Sequence, residues 1–360
     1  MHNLELNAHF YRELIRPILA THFGDLPHAA ARIGHGSEVL GYDDTMSTDH
    51  DWGLRLQLFL HRDDYTQHAE EIVQTLAEQL PYTFRGYSTH FSPPDPNDNG
   101  SQTLSVIDSG PVNHRITVHT VRSFVHQHLA FDIEQPLTPA DWLTFTQQRL
   151  LGLTKGAVYH DTVGLEKVRH QFAYFPDDIW LYLLAAGWTR INQEDHLMGR
   201  AGFAGDEIGS ALIGARLVRD IMSLCFLMAR RYAPYPKWFG KAFGELDCAM
   251  VLEPILRGAL SAENWQTREQ HLVAAYQHLA QMHNDLQITA PVSTQTIQFF
   301  SRPFRVITHN GMVAALVDQI KDEAIRKLAQ KPLIGSIDQF SDNTDLRSDL
   351  RWRPMLRQLY

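Results

Sequence analysis

The chain of 360 residues has very little cysteine and no long apolar run, which argues against a disulfide-stabilised protein and against a membrane-spanning one. Its two cysteines, Cys225 and Cys248, lie in apolar helical stretches, so we expect free buried thiols and not a disulfide framework. No run of about 18 apolar residues occurs, so no membrane span is predicted. The first residues lack a basic start followed by an apolar segment, which predicts a cytoplasmic protein.

Basic charge is scarce as well. The chain carries 32 Lys and Arg against 41 Asp and Glu, for a net charge of −9. Proteins that bind nucleic acid normally present a basic face, so a nucleic-acid partner is not expected. Hydrophobic residues make up 44% of the chain, enough for a substantial core. The length predicts two domains, which we place at residues 1–150 and 151–360.

The most informative stretch runs from Gly36 to Trp52. The pair Gly36-Ser37 is followed, after eleven intervening residues, by Asp49 and Asp51. An alternating segment then predicts a half-buried strand over about 53–60. Residues two apart on a strand share a face, so the two carboxylates would project together. Close carboxylates repel each other unless a cation lies between them, and hard oxygen ligands suit magnesium.

The Gly-Ser pair has its own predicted role. Glycine permits close approach of backbone N–H groups to a phosphate, and a helix starting at this point would add its positive N-terminal end. Asp43 and Asp44 precede the acidic pair, where they predict a capped turn or, alternatively, ligands of a second metal.

Gly-Ser followed about ten residues later by Asp-x-Asp resembles the signature of the DNA polymerase β-like nucleotidyltransferase superfamily, which includes the kanamycin (aminoglycoside) nucleotidyltransferases. The resemblance implies that Gly36 and Ser37 bind phosphate and that Asp49 and Asp51 bind Mg²⁺ or Mn²⁺. The longer string from Gly36 to Gly53 is similar to a bacterial group known as DUF4037. Two later strings, at 230–239 and 334–340, also fit that group, so the resemblance covers most of the chain.

The sequence departs from the superfamily pattern in several places. His35 and His50 stand where apolar residues are usual. Many members also place a third carboxylate on a later strand of the same sheet, but the strand predicted at about 113–122 contains no acid. A general base would then come from the helical half, as in the kanamycin enzymes.

Candidate residues occur in that half. Glu194 and Asp206 lie in a polar, glycine-bracketed cluster and are predicted as general bases; helix capping by Asp206 and solvent exposure of Glu194 are the alternatives. Lys237 lies in an aromatic and basic segment around two prolines and is predicted to clamp phosphate, unless this segment is a packed helix corner.

The predicted fold is α+β, with an N-terminal nucleotidyltransferase-like mixed sheet flanked by helices and a C-terminal all-helical domain. The predicted activity is Mg²⁺-dependent transfer of a nucleoside monophosphate, AMP from ATP, to a hydroxyl of a small molecule. The alternatives are a transferase acting on protein or RNA, and a nucleotide-binding regulator or degenerate enzyme. A homodimer is compatible with the resemblance. The element predictions include a helix over 6–24 kinked at Pro17, a helix over 64–80 and a helix over 294–300.

Overall fold

A computed structural model describes residues 3–44, 46, 52–98, 100–307 and 310–360. The chain forms two compact units. Unit 1 comprises Met1–Pro136 and Arg149–Ala173, and unit 2 comprises Leu137–Gln148 and Tyr174–Tyr360. The chain therefore passes between the units more than once in the middle of the sequence.

Unit 1 contains a four-stranded sheet with the order β5-β2-β1-β6. β1 pairs antiparallel with β2 and with β6, whereas β2 and β5 are parallel, so the sheet is mixed. Because β1 and β2 are antiparallel, the turn that follows β1 and the segment that precedes β2 lie at the same end of the sheet. The elements up to residue 171, of which α6 and the first two residues of α7 belong to unit 2, are α1 (Asn3–Phe10), α2 (Arg16–Phe23), β1 (His28–Arg32), α3 (Ser37–Leu40), β2 (Arg55–Leu60), α4 (Arg62–Gln79), β3 (Thr83–Phe84), β4 (Tyr87–Ser88), β5 (Arg115–His119), α5 (Val121–Leu129), α6 (Pro139–Thr144), α7 (Gln147–Thr154), β6 (Ala157–Asp161) and α8 (Leu165–Gln171).

The two faces of β2 have different roles. Leu56, Leu58 and Leu60 alternate along one face and are buried in a core shared with α1, α2 and α4. On the other face, Arg55 and Gln57 are partly buried and Phe59 is fully buried. This period of two is the pattern that predicted the strand, and the structure confirms it.

The N-terminal helix is interrupted as expected from Pro17. A five-residue π-helical segment, Tyr11–Ile15, joins α1 to α2, and Pro17 lies in the first turn of α2. Proline lacks the N–H that an α-helix needs, and the wider turn ahead of it accommodates that loss. The predicted helix over 64–80 is also present, as α4.

Unit 2 is built mainly from helices. The long helices α9 and α10 pack against each other and against α13, and a two-stranded ribbon of β7 and β8 lies beside them. The elements are α9 (Asp177–Phe203), α10 (Glu207–Met228), α11 (Pro236–Phe243), α12 (Ala249–Ser261), α13 (Trp265–Asp285), β7 (Thr296–Gln298), β8 (Arg305–Ile307), α14 (Asn310–Asp318), α15 (Glu323–Ala329), α16 (Ile337–Phe340), α17 (Thr344–Ser348) and α18 (Arg353–Leu356), with 3₁₀ turns at Leu350–Trp352 and Arg357–Leu359.

The predicted α+β class with a mixed N-terminal sheet is confirmed; the C-terminal part is mainly helical, but it is not all-helical as predicted, because it contains the β7–β8 ribbon. Two details differ. The segment predicted as a helix over 294–300 contains β7, because it pairs with β8, and β6 adds a fourth strand that the sequence pattern did not indicate. Both cysteines are free; Cys225 is buried and Cys248 is partly buried. Within the described residues, no helix has the length and apolar character needed to cross a membrane.

Candidate functional site

The turn that joins β1 to α3 contains Gly34 and Gly36, and both have positive φ, of 89° and 134°. The Gly34 N–H donates to the carbonyl of Gly152 at 2.8 Å. A Cβ on Gly152 would lie 2.5 Å from the Gly34 carbonyl oxygen, so only glycine allows this contact. The backbone of α7 therefore packs directly on the Gly-Ser turn and fixes its position.

Gly36 is required by a side chain of the protein itself. A Cβ on Gly36 would lie 2.3 Å from the Glu38 carboxylate, which folds back over the turn. The sequence predicted that this glycine admits a phosphate. The structure supplies a second reason for glycine at this position, namely the need to accommodate Glu38.

Glu38 and Arg32 form a buried ion pair, with side chains that are 5% and 1% exposed. The Arg32 guanidinium also donates to the carbonyls of Ile33, at 2.9 Å, and His35, at 2.6 Å. One side chain thus holds both the end of β1 and the turn that follows. Neither residue was singled out from the sequence, because their contact depends on the tight turn between them.

The short helix after the turn modifies one expectation. α3 spans only Ser37–Leu40, a single turn. A helix dipole is the sum of aligned peptide dipoles, so one turn contributes little positive charge. Any anion binding at Gly36 and Ser37 would therefore depend on individual N–H groups and on nearby cationic side chains.

Cationic side chains do surround the turn. Arg55, the first residue of β2, brings its guanidinium to 3.7 Å from the Glu38 carboxylate. His35 keeps exposed surface, yet its pKa is lowered, first because surrounding protein excludes water and then by the charges of Arg149, Arg32 and Arg55. The electrostatic environment of His35 is therefore positive and favours an anion.

Arg149 is held near the turn by α5. Its guanidinium donates to the His128 carbonyl at 2.7 Å, and the His128 ring bonds the Arg149 carbonyl at 2.8 Å. The His128 ring lies 5.4 Å from the His35 ring. Sequence reasoning missed Arg149, since it lies far from the motif along the chain.

The strand beside β2 carries no acid. β5 reads Arg-Ile-Thr-Val-His, and its register places Arg115 opposite Arg55 and Thr117 opposite Gln57. Arg115 donates to the Gln102 side chain at 2.7 Å. β5 therefore presents basic and neutral side chains.

Asp49 and Asp51, the predicted metal ligands, lie outside the described residues. The chain that follows them is firmly anchored: Asn3 and Asn7 both donate to the Gly53 carbonyl, at 3.1 and 3.2 Å, and Asn7 accepts from the Arg55 N–H at 2.8 Å. Before the pair, Asp44 accepts from the Met46 N–H at 3.0 Å, as in a capped turn. Among the residues that the structure describes, no group of three or more His, Cys, Asp or Glu side chains could hold a metal ion.

The remaining candidates lie in unit 2, and each has a structural contact. Glu194 on α9 accepts from Arg216 at 2.9 Å. Asp206 is the N-cap of α10 and accepts from the Gly209 N–H at 2.8 Å. The Lys237 ammonium lies 4.9 Å from the centre of the Trp238 ring, in the first turn of α11. These contacts match the structural alternatives considered for Asp206 and Lys237, while Glu194 is paired with Arg216. The catalytic and phosphate-binding roles of all three stay predictions.

Comparison with known proteins gives two matches. Residues 142–239 match the family model described as "Domain of unknown function (DUF4037)". A nucleotidyltransferase-like protein from Exiguobacterium sibiricum 255-15 is 12% identical, with 90% of this chain and 91% of that chain covered, but its TM-score of 0.32 is too low to establish a common fold. No curated protein matches the sequence. The chain is thus similar, over residues 142–239, to the DUF4037 family.

Proposed function

We propose that this protein binds a nucleoside triphosphate at the Gly34–Ser37 turn and transfers the nucleoside monophosphate, AMP from ATP, to a hydroxyl of a small molecule. The observation that carries the proposal is the position of three arginines around this turn: Arg32 donates to the His35 carbonyl, Arg55 lies 3.7 Å from the Glu38 carboxylate, and Arg149 is bonded to His128, whose ring lies 5.4 Å from the His35 ring. The sequence adds Asp49 and Asp51 at the spacing typical of nucleotidyltransferases.

The donor set of the acidic pair suits a divalent metal. Asp49 and Asp51 would hold Mg²⁺ or Mn²⁺, because paired carboxylates are hard oxygen ligands. When bound, the metal would neutralise charge on the triphosphate. The anchoring of Gly53 and Arg55 by α1 supports a fixed position for the strand that follows the pair.

The protein's own residues would bind and orient the phosphates. Backbone N–H groups of the turn would donate to phosphate oxygens, and Arg55 and Arg149 would stabilise their negative charge. Because Arg32 is tied to Glu38 and to two carbonyls, its role in this proposal is to hold the turn in shape. Lys237 is retained as a proposed phosphate ligand.

The acceptor hydroxyl must lose a proton to a general base, and Glu194 and Asp206 are the proposed bases. Asp206 uses one carboxylate oxygen to cap α10, and its other oxygen is the one that could accept a proton. To accept the proton, Glu194 would have to give up the hydrogen bond that it accepts from Arg216. The acceptor is proposed as a small molecule, and the negative net charge disfavours RNA as the acceptor.

A nucleotide-binding regulator is the second candidate, and the composition of β5 favours it. Arg115 stands opposite Arg55, and no carboxylate is present on the strand. Such a surface would bind phosphate while leaving a hydroxyl without a base there. Tight nucleotide binding without turnover is the expected behaviour of this candidate.

Calorimetric titration with ATP, GTP, CTP and UTP, with and without Mg²⁺, tests the proposal. Wild type should bind in a metal-dependent manner, and Asp49→Asn and Asp51→Asn should each abolish that dependence. Asp63→Asn is the matched control, because it removes an exposed acid in the first turn of α4 that belongs to none of the proposed sites. If both variants bind Mg²⁺–ATP like wild type, the assignment of the site is wrong.

Release of pyrophosphate in the presence of pooled small-molecule extracts then separates the two candidate functions. Metal-dependent release that is lost in Asp49→Asn supports the transferase. Binding that is never accompanied by release supports the regulator.

A further inference from the structure

A pocket lies wholly within unit 2. Its volume is about 170 Å³, and it is bounded by α9, α10, the start of α11 and the segment around α16. Two strings that the sequence analysis singled out, 230–239 and 334–340, converge on it: Ala233, Pro234 and Phe239 come from the first, and Asp338 and Gln339 from the second. Most of the lining also lies in the segment that matches the DUF4037 family.

The polar groups contributed by Gln147 and by the segment around α16 are held in place by hydrogen bonds within the protein. Asp338 accepts from the Gln147 N–H at 2.7 Å and from the Arg347 guanidinium at 3.0 Å. The Gln147 side chain accepts from the Ala233 N–H at 2.9 Å, and Gln339 donates to the Leu183 carbonyl at 3.0 Å. These groups have strong partners and little remaining capacity for a ligand.

Asp220 is different. Its side chain is only 8% exposed, yet its contacts with Arg190 are long, at 3.2 and 3.3 Å. Charge-assisted hydrogen bonds of this kind usually measure about 2.7–2.9 Å. Burial also raises the pKa of Asp220. A ligand ammonium group would give this buried carboxylate a closer donor.

Arg219 provides the opposite charge beside it. One of its nitrogens lies 3.6 Å from the Asp220 carboxylate, too far for a hydrogen bond. Its better partner, Asp342, is 82% exposed, and exposed ion pairs contribute little free energy. Arg219 can therefore exchange Asp342 for the carboxylate of a ligand at small cost.

The remaining wall is apolar, with Leu224, Leu227, Pro236 and Phe239 lining it. We infer that this pocket binds a small zwitterion of the amino-acid type with an apolar side chain. Its ammonium would contact Asp220, its carboxylate would contact Arg219, and its side chain would lie against the apolar wall. The inference is independent of the proposed nucleotide site.

Titration calorimetry on the full chain tests the inference, with leucine and phenylalanine as probes. Their N-acetyl and carboxamide derivatives each lack one of the two charges. Wild type should bind at least one free amino acid saturably, and each derivative should bind at least tenfold more weakly. Absence of binding at millimolar concentration, or equal binding of the derivatives, would overturn the inference.

Variants locate the binding site. Arg219→Gln and Asp220→Asn should each weaken binding at least tenfold, whereas Arg216→Gln should not, because Arg216 is on the same helix but does not line the pocket. Arg219 is partly exposed, so its replacement should leave the fold intact even if Asp220→Asn does not. Unchanged amino-acid binding in Arg219→Gln would contradict the inference. If wild type binds no nucleotide, the proposed function fails but this inference does not, because it does not involve the nucleotide site.

Discussion

Arg32 and Glu38 form a buried ion pair that encloses the turn containing Gly36. The pair links the end of β1 to the first turn of α3, and the Arg32 guanidinium also holds the carbonyls of Ile33 and His35. Both side chains are almost fully buried, so the position of the turn depends on charges that water does not screen. The stability of the fold and the shape of the candidate phosphate site are thereby connected.

Replacement of Glu38 should reveal that connection. Glu38→Gln leaves the buried Arg32 charge without its counter-charge, and the expected loss of unfolding free energy is about 3 kcal/mol. Urea denaturation measures it. Glu253→Gln is the control, since Glu253 pairs with Arg257 at the surface and its removal should barely move the midpoint. Equal midpoints for the two variants would contradict a special role for the buried pair.

Gly36→Ala should destabilise the protein for two separate reasons. The residue has a φ of 134°, and the added Cβ would collide with Glu38. Gly86→Ala is the matched control, because Gly86 also has positive φ but nothing lies within 4 Å of an added Cβ. Backbone strain alone costs on the order of 1–3 kcal/mol, so Gly86→Ala should fall in that range and Gly36→Ala above it. Denaturation curves that coincide for the two variants would show that the collision is relieved.

The parts of unit 1 that the sequence predicted are those with local causes. β2 was predicted because its leucines alternate, and α4 because acids occur in its first turn and Pro81 follows its end. β6 was missed because every residue of Ala157–Asp161 is only partly buried, so no alternation marks it, and its pairing partner β1 is distant in the sequence. The segment containing β7 was predicted as a helix because its strand conformation depends on pairing with β8, which the local sequence pattern does not show.

Prediction of the candidate sites from sequence was limited in the same way, because it depended on local patterns. The pair Gly36-Ser37 was recognisable as a motif, whereas Arg149 reaches the region of the turn only through the packing of α7. Likewise, Ala233 and Asp338 belong to two strings with no visible relation in the sequence, and the helical packing of unit 2 places both at one pocket. Spacing along the chain cannot predict such contacts.

His128 should make the stability of the protein depend on pH. It is 5% exposed, and burial, followed by the charge of His35, lowers its pKa from 6.5 to about 3. The unfolded chain takes up a proton below pH 6.5 that the folded chain refuses, so stability is full above that pH and falls as the pH drops towards 3. The slope has a maximum of about 1.4 kcal/mol per pH unit.

Urea denaturation at pH 7, 6 and 5 measures that slope. His128→Gln should reduce it, since the replacement cannot be protonated in this range. His126→Gln, an exposed position on the same helix, should retain the slope of wild type. A slope that is unchanged in His128→Gln would exclude His128 as the source.

Asp195 should have the opposite effect of pH. This carboxyl on α9 is 3% exposed, and burial raises its pKa to about 7 although the His196 N–H donates to it at 2.7 Å. The folded chain keeps a proton that the unfolded chain releases above about pH 4. Stability from this group is therefore present at low pH and is lost as the pH rises towards 7. Asp195→Asn, which cannot ionise, should gain stability relative to wild type between pH 4 and pH 8, by up to about 4 kcal/mol.

The difference between variant and wild type is the quantity to measure, because any change in packing caused by the asparagine side chain adds the same amount at every pH. Asp177→Asn, at an exposed position on the same helix, should follow the pH dependence of wild type. A difference between Asp195→Asn and wild type that stays constant from pH 4 to pH 8 would mean that Asp195 ionises as readily in the folded chain as in the unfolded one. The burial of its carboxyl would then be compensated by its hydrogen bonds with the backbone.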